Sequence, residues 1–226
     1  ASIDYDAQGR RTRLALGNGT TTTYAYDPHS RRLTRLRSER SSDDVLQDLR
    51  YTYDAGGNIV RLEDGAQRTL YIGASGGVSP DRRFTYDARH RLIRAEGRCH
   101  PGQQLSAAGP PLRQIPHPND DVVERYTQTY AYDEVGNILE MHQTRGGATA
   151  WRRRYQYALT SNRLVSTSVP GDAVQATYVD PGAPATAKYS DTYTHDAHGS
   201  ITALPGLLGN AWSDRDELQE VDLGGG

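Results

Sequence analysis

The chain has 226 residues, with 26 basic and 28 acidic side chains, 15 tyrosines and a single cysteine, Cys99. One cysteine excludes an intrachain disulfide, the balanced charge disfavours a dedicated nucleic-acid-binding protein, and no apolar run is long enough for a membrane-spanning helix. About 17% of the residues are Leu, Ile, Val or Phe, too few for a thick globular core, but abundant tyrosine and near-neutral charge are not typical of disorder.

A short block recurs along the chain: an aromatic residue, any residue, a second aromatic residue and Asp, then turn residues and an aliphatic residue. Two residues separated by one position share a face of a β-strand, and the Asp can accept hydrogen bonds from the turn that follows. Each block therefore predicts a strand, a tight hairpin turn and a returning strand. The second aromatic and Asp positions are Tyr5-Asp6, Tyr26-Asp27, Tyr53-Asp54, Tyr86-Asp87, Tyr132-Asp133, Tyr157-Ala158 and His195-Asp196.

The turns of these blocks carry glycine and asparagine where a hairpin needs a left-handed backbone conformation. The residues in question are Gly57-Asn58, Gly136-Asn137 and Gly199, and Ile59 and Ile138 begin the returning strands of the first two. A final half block has Trp212 in the aromatic position, and its returning strand is expected to begin at Leu218. We interpret all these residues as a structural repeat motif.

Together the blocks predict an all-β fold, a long curved antiparallel sheet of hairpins with about 14 strands. The blocks are unevenly spaced, which favours a meander of hairpins over a solenoid with a fixed period. We expect residues 1–226 to form a single repeat region, interrupted by an irregular proline-rich insertion at about residues 95–125. Residues 73–80 and 170–188 are expected to be flexible loops.

Several residues invite a catalytic or metal-binding interpretation, but a structural one explains each of them better. The repeated Asp residues could pair for glycoside hydrolysis, yet each begins a turn. His195 and His198 flank Asp196 without an evident third metal ligand, and the adjacent Cys99-His100 seldom face each other as nucleophile and base. The side chains of residues 152–154, all arginine, alternate faces on a strand and are expected to pair with cross-strand carboxylates. We therefore predict no enzyme activity, no catalytic or metal-binding residues and no cofactor.

The blocks at residues 53–59 and 132–138 resemble the YD repeats of Rhs proteins, and the resemblance covers nearly the whole chain. Within that group, four segments are similar to the repeat region of the B and C components of Tc insecticidal toxin complexes and related Rhs toxins. These segments are residues 78–81, 91–98, 116–120 and 212–226.

The resemblance implies a non-enzymatic wall of a hollow cocoon that shields a toxic C-terminal cargo until its delivery. It also implies a secreted or extracellular location. The implied partners are the remaining shell segments of the parent polypeptide or of a partner subunit, and the encapsulated toxin domain. Neither nucleic acid nor membrane insertion is expected. Because the chain begins at Ala1 rather than Met, we expect it to be a piece of a longer polypeptide.

Rhs shells of this type end in a core segment with an aspartyl autoprotease, and no such core is found in this sequence. Asp180-Pro181-Gly182 superficially resembles its Asp-Pro step but is interpreted as a turn. An alternative function is an extracellular adhesion module, as in the teneurins, in which exposed tyrosine rows and arginines contact glycans or a receptor. Lumen-facing or buried rings would favour the shell, whereas a contiguous exposed aromatic patch would favour recognition.

Overall fold

The computed structural model describes residues 1–66, 71–73, 76–99, 123–169, 172, 189–207 and 209–222. These residues form strands and turns, and no helix long and apolar enough to span a membrane occurs among them. The strands are β1 Ser2–Tyr5, β2 Arg11–Ala15, β3 Thr21–Tyr26, β4 Leu33–Ser41, β5 Asp44–Tyr53, β6 Ile59–Asp64, β7 Tyr71–Gly73, β8 Gly76–Val78, β9 Arg82–Tyr86, β10 Leu92–Cys99, β11 Glu124–Tyr132, β12 Ile138–Arg145, β13 Ala148–Tyr157, β14 Leu164–Thr167, β15 Asp191–Thr192, β16 Thr194–His195, β17 Ile201–Ala203, β18 Gly209–Trp212 and β19 Leu218–Asp222.

Thirteen of these strands form one antiparallel sheet, ordered β1 to β6 and then β9 to β15. The remaining strands pair as three separate hairpins, β7 with β8, β16 with β17 and β18 with β19. Nearly every strand therefore lies beside its neighbour in sequence, as expected for a meander of hairpins. The prediction of an all-β fold with a long antiparallel sheet of hairpins is confirmed.

Three local features differ from or refine the sequence prediction. Residues 73–80, expected to be a loop, contain β8, which pairs with β7. Strand β10 continues to Cys99 and β11 begins at Glu124, so both ends of the expected insertion belong to strands. Residues 100–122 lie outside the described residues, as does most of the expected loop at residues 170–188. The hairpin expected at the end of the chain is present, with β19 beginning at Leu218.

The described residues divide into two units. The first contains β1 to β10 and the start of β11 as far as Thr127, and the second contains the rest of β11 and β12 to β19. That residues 1–226 form a single repeat region remains a prediction.

The sheet of the first unit has an aromatic face and a charged face. Directly opposite residues on neighbouring strands point to the same side, so the cross-strand register sorts the side chains. The aromatic face includes Tyr24, Leu36 and Leu49, which lie opposite one another on β3, β4 and β5. The charged face includes Ala25, Arg35, Arg50 and Glu63, which lie opposite one another from β3 to β6.

Hydrophobic burial is sparse throughout the described residues. Val78 and Ala95, 7% and 3% exposed, are the only buried hydrophobic residues among those that the structure describes. Most aromatic and aliphatic side chains on the strands are instead half-buried, as expected for a sheet without a closed core. Backbone ladders and rows of side chains on each face therefore hold the described part of the sheet together.

In the second unit, the three consecutive arginines of β13 alternate faces as predicted. Arg152 and Arg154 lie on one face and both pair with Glu140 of β12, at 3.3 and 2.9 Å. Arg153 points to the other face, where one Nη lies 2.8 Å from the Thr167 hydroxyl and 3.4 Å from Asp191. The prediction that cross-strand carboxylates partner these arginines is confirmed.

Candidate functional site

The feature that recurs with the most polar contacts is the turn after each second aromatic residue. We call these turns together the turn row. In every member the N–H of the first residue donates to the carbonyl of the last, at 2.8 to 3.0 Å. The turn row consists of residues 6–10, 27–32, 54–58, 87–91, 133–137, 158–163, 196–200 and 213–217.

The Asp that begins a turn accepts hydrogen bonds from the rest of that turn. One oxygen of Asp54 accepts the N–H groups of Gly57 and Asn58 at 2.8 and 2.9 Å, and the other accepts the Asn58 side-chain amide at 2.8 Å. Asp133 repeats this arrangement with Gly136 and Asn137, at 2.7 Å for all three bonds. The sequence predicted an acceptor for backbone N–H groups, but the side-chain partner four residues later was not predicted.

In two other turns, arginine takes the place of that asparagine. Arg10 Nε donates to Asp6 and Arg91 Nε donates to Asp87, both at 2.7 Å. The same carboxylates also accept backbone N–H groups from their own turns. The Asp side chain therefore organises a turn whether the last residue of that turn is Asn or Arg.

Hydrogen bonding lowers the pKa of the turn carboxyls. For Asp6 and Asp87 the largest cause is the backbone N–H of the last turn residue, and for Asp54 it is the Asn58 side chain. Burial raises the pKa of Asp133, but the hydrogen bonds from its turn outweigh that effect and lower it overall. These carboxylates are acceptors at neutral pH, and none resembles the protonated acid of a glycosidase pair.

The left-handed position in these turns lies three residues after Asp in most of them. Gly57, Gly136 and Gly199 have φ angles of 99°, 107° and 102°, so these three glycines occupy the conformation that the sequence predicted. Three residues of the turn row reach the same conformation without glycine, and the sequence analysis missed them. They are Arg31, His90 and Asp216, with φ angles of 62°, 61° and 58°. Aligning the turns by their first residue would have identified His90 and Asp216.

Arginines at the ends of turns connect neighbouring turns within each unit. In the first unit, Arg10 donates to the carbonyl of Arg31 at 3.4 Å, and Arg32 donates to the carbonyl of Asp54 at 3.3 Å. The same guanidinium groups lie over the rings of Tyr26 and Tyr53, 4.5 and 5.5 Å from the ring centres.

In the second unit, Arg163 donates to the carbonyls of Asp196 and Ala197, at 3.1 and 3.0 Å. The last residue of one turn thus donates to a backbone carbonyl of the next turn in both units.

Where a turn does not end in arginine, contacts between side chains connect it to the next turn. Asn58 lies 2.9 Å from the ring of His90, and Asn137 lies 3.1 Å from Asn162. His198 pairs with Asp216 at 3.0 Å, and the hydrogen bond and charge of that carboxylate raise the pKa of His198. Within each unit, consecutive turns of the row are therefore joined by polar contacts.

The second aromatic residue of a block forms another connection that the sequence analysis did not predict. The hydroxyl of Tyr26 donates to the carbonyl of Arg11 at 2.9 Å, and that of Tyr53 donates to Leu33 at 2.8 Å. Two further residues behave in the same way: Tyr86 donates to Ile59 at 3.0 Å, and Trp212 Nε1 donates to Ile201 at 2.8 Å. In all four cases the acceptor is the first residue after the preceding turn.

The remaining residues of the expected motif lie at the ends of strands. Tyr5 is 58% exposed on the first strand, whereas Tyr132, Tyr157 and His195 are half-buried at the ends of their strands. Burial raises the pKa of Tyr157 to about 12. Ile59 and Ile138 begin β6 and β12.

The candidate metal groups form no cluster among the described residues. No group of three His, Cys, Asp or Glu side chains that could hold a metal occurs among the described residues. Cys99 is half-buried at the end of β10, and both its neighbour His100 and Asp180 lie outside the described part of the chain.

Comparison with known proteins places this geometry in a family. Residues 5–43 match the RHS Repeat family. The chain is 35% identical to toxin subunit YenC2 and 31% identical to toxin subunit YenC1 of Yersinia entomophaga, in each case over 98% of its own length. It spans 22% and 23% of those two proteins.

Solved structures agree with these similarities. The chain matches the Tc holotoxin pore of Photorhabdus luminescens, which carries a mutated TccC3, with a TM-score of 0.69 and 30% identity over 98% of this chain and 10% of that chain. It matches the crystal structure of TcdB2-TccC3 with a TM-score of 0.68 and 30% identity, covering 97% of this chain and 10% of that chain. These similarities identify the chain as an Rhs-repeat segment that resembles part of the Tc toxin components.

Proposed function

We propose that residues 1–226 form part of the wall of a hollow Rhs-type shell, which encloses a toxic C-terminal cargo and shields it until delivery. The observation that supports this function best is a broad antiparallel sheet with almost no hydrophobic core among the described residues. A wall that encloses another protein must cover a large surface with few buried side chains, and a broad sheet does so.

A continuous sheet can exclude proteases because its backbone is engaged on both sides. Inside the sheet each strand pairs with two neighbours, so cleavage requires local unfolding of at least one ladder. The turn row closes one end of these strands, and its carboxylates engage their own turns. We assign the motif residues a structural role of this kind and assign none of them to catalysis.

The proposal defines the surroundings of the chain. Its partners are the remaining shell segments, in the parent polypeptide or in a partner subunit, and the enclosed toxin domain. The similar proteins are named as toxin subunits and as TcdB2-TccC3 assemblies, which supports an extracellular location for the assembled shell. The proposal requires no cofactor, no nucleic acid and no membrane insertion.

The adhesion alternative depends on a contiguous exposed aromatic patch, and the structure does not favour it. Among the aromatic side chains that the structure describes, Tyr5 alone is exposed, and the others are half-buried. The hydroxyls of Tyr26, Tyr53 and Tyr86 donate to backbone carbonyls and do not project as free donors toward a glycan. Among the described aromatic residues, Tyr5 is therefore the one that could contact a glycan.

Limited proteolysis of the full-length protein that contains this chain tests the function. The cargo inside the intact shell is expected to survive a protease concentration that degrades the isolated cargo within minutes. A matched control shell in which Asp54 and Asp133 are both replaced by Ala should protect its cargo less well, because two turns lose their internal acceptor. Cleavage of the enclosed cargo as fast as the free cargo would overturn the proposal.

A further inference from the structure

Three strand pairs of the first unit stop pairing before they reach the turn row. The last paired residues are Arg13 with Thr23 in β2 and β3, Arg35 with Arg50 in β4 and β5, and Arg61 with Arg83 in β6 and β9. In each pair the carbonyl that accepts the tyrosine hydroxyl lies two residues beyond this last pair. The hydroxyl therefore bonds a carbonyl that the backbone ladder leaves unpaired.

The sequence shows an independent asymmetry between the two aromatic positions of a block. The second position always carries a ring with a hydrogen-bond donor, namely Tyr, His or Trp. The first position tolerates side chains without one: Ile3 occupies it in the first block, and Phe84, the only Phe of the chain, occupies it in the fourth. If burial and ring stacking were the only requirements, side chains without a donor would be tolerated at the second position as they are at the first.

Donor chemistry at the second position extends to the second unit. Trp212 uses its indole N–H to reach Ile201. The same relation thus holds with two different ring types and in both units.

We propose that the second aromatic residue acts as a register pin in the blocks where its polar tip bonds the first carbonyl after the preceding turn, as Tyr26, Tyr53, Tyr86 and Trp212 do. This role goes beyond the proposed function, because it holds whether or not the wall encloses a cargo. A slip of one residue would exchange the aromatic and charged faces, but a slip of two would keep them. A two-residue slip displaces the carbonyl from the hydroxyl by about 7 Å, so the pin excludes it.

The pin has the most effect where no tight turn fixes the register. Strands β4 and β5 are joined through Ser42 and Asp43 alone, so a short turn already sets their alignment. Strands β6 and β9 are separated by residues 65–81 and have only two paired positions. Tyr86 is therefore expected to determine the β6–β9 register, whereas Tyr53 only closes the open end of β4 and β5.

Disulfide trapping measures the register directly. In a Cys99→Ser background, Leu62→Cys with Arg82→Cys reports the observed register, because these residues lie opposite each other. Leu62→Cys with Phe84→Cys reports a two-residue slip. With Tyr86 intact, we expect at least tenfold more cross-linking from the first pair. Tyr86→Phe is expected to raise the slipped cross-link several-fold, and Tyr86→Trp should restore the original ratio.

Matched variants separate the pin from general destabilisation. Tyr51→Phe removes a hydroxyl from a first position that has no hydrogen-bond partner among the described residues. Tyr5→Phe removes one from the second position of the first block, which lies on an edge strand and has no preceding turn of the turn row. Neither should change the cross-linking ratio. Tyr53→Phe should leave the ratio unchanged and speed amide exchange about fivefold at the start of β4, while the turn at residues 54–58 keeps its protection.

Two results would overturn the proposal: an unchanged ratio in Tyr86→Phe, or an equal effect in Tyr51→Phe. Should Tyr86→Phe fail to fold, the exchange pattern of Tyr53→Phe decides. Loss of protection throughout that variant, or in turn 54–58 rather than in β4, would refute the pin. Loss of cargo protection in the proteolysis test bears on the shell function alone.

Discussion

Asp48 in the first unit and Asp191 in the second are both carboxylates that lie beside arginine with little exposure, 5% and 19% of the side chain. Their pKa values nevertheless move in opposite directions. The hydrogen bond from Arg35 lowers the pKa of Asp48, whereas burial raises the pKa of Asp191 because the pull of Arg153 is too weak to compensate. The same pair of residue types thus yields a fixed anion in one unit and a more readily protonated acid in the other.

The difference has a geometric origin. Arg35 binds both oxygens of Asp48, at 2.6 and 2.8 Å, and Arg37 and Arg50 lie within 3.8 and 4.0 Å. The guanidinium of Arg153 lies 3.4 Å from one oxygen of Asp191 and divides its contacts among other side chains. On this sheet, a buried carboxylate stays ionised where an arginine fork grips both oxygens.

Replacing the two aspartates is expected to give the largest contrast. Asp48→Ala should lower the free energy of unfolding by about 3 kcal/mol, because it leaves three arginines beside an empty, buried site. Asp191→Asn should cost less than about 1 kcal/mol, since an amide resembles the protonated acid that burial favours there. Urea unfolding of both variants measures the difference. Equal losses would show that the two sites are equivalent and would contradict the comparison.

A second contrast concerns the turn glycines of the two units. A Cβ at Gly57 would lie 2.5 Å from the Arg32 guanidinium, whereas a Cβ at Gly136 would meet nothing within 4 Å. Both positions are left-handed, so both Ala variants carry backbone strain. We expect Gly57→Ala to cost about 2 kcal/mol and Gly136→Ala about 1 kcal/mol.

Thermal or urea unfolding of these glycine variants gives the ranking. The double variant Gly57→Ala with Arg32→Ala serves as the control, because it removes the close approach and should leave only the backbone strain. A ranking in which Gly136→Ala is the worse substitution would exclude a role for Arg32 in the contrast.

Acid should affect the two aspartate sites in opposite directions. The pKa of Asp48 is lowered on folding, so its contribution is present above the ordinary Asp pKa and is lost as the pH falls through the folded value. The pKa of Asp191 is raised on folding, so its contribution is present below the ordinary pKa and is lost as the pH rises through the folded value. Between pH 7 and pH 3, β4 and β5 should lose protection relative to β14 and β15.

Hydrogen exchange, corrected for the intrinsic effect of pH, measures these local changes. Asp191→Asn should abolish the pH response in β14 and β15 without altering that in β4 and β5. A uniform loss of protection across both strand pairs would mean that the turn carboxylates alone govern the acid response.

The residues that could be predicted from the sequence are those whose role depends on local spacing. Alternating aromatic residues predict a strand, and an Asp followed three residues later by Gly predicts a turn, as at Asp54 and Gly57. The contacts of Asp48 could not be predicted, because they depend on how β4 and β5 align across register irregularities near Ser38. Nor does the sequence identify the acceptor of the Tyr53 hydroxyl, since only the end of pairing between β4 and β5 leaves the Leu33 carbonyl available to it.

The glycine-rich segment at residues 73–80 was predicted to be a loop, but part of it is a strand. Glycine is typical of loops, and the sequence analysis therefore expected a loop, yet backbone pairing between Ile72 and Gly77 forms a short hairpin. Composition describes the freedom of an isolated segment, whereas a partner strand can order it.

The smallest expected effect concerns the exposed pair of His198 and Asp216 in the second unit. Asp216 raises the pKa of His198, so the contribution of this pair is present below the ordinary His pKa and is lost as the pH rises through the folded value. After correction for the intrinsic effect of pH, amide exchange in the turn at residues 196–200 should therefore be slightly slower at pH 6 than at pH 8.5. Asp216→Asn keeps a residue type that tolerates the left-handed backbone and removes the charge, so it should abolish this response. A response that persists in Asp216→Asn would assign it to Asp196, the other carboxylate that raises the pKa of His198.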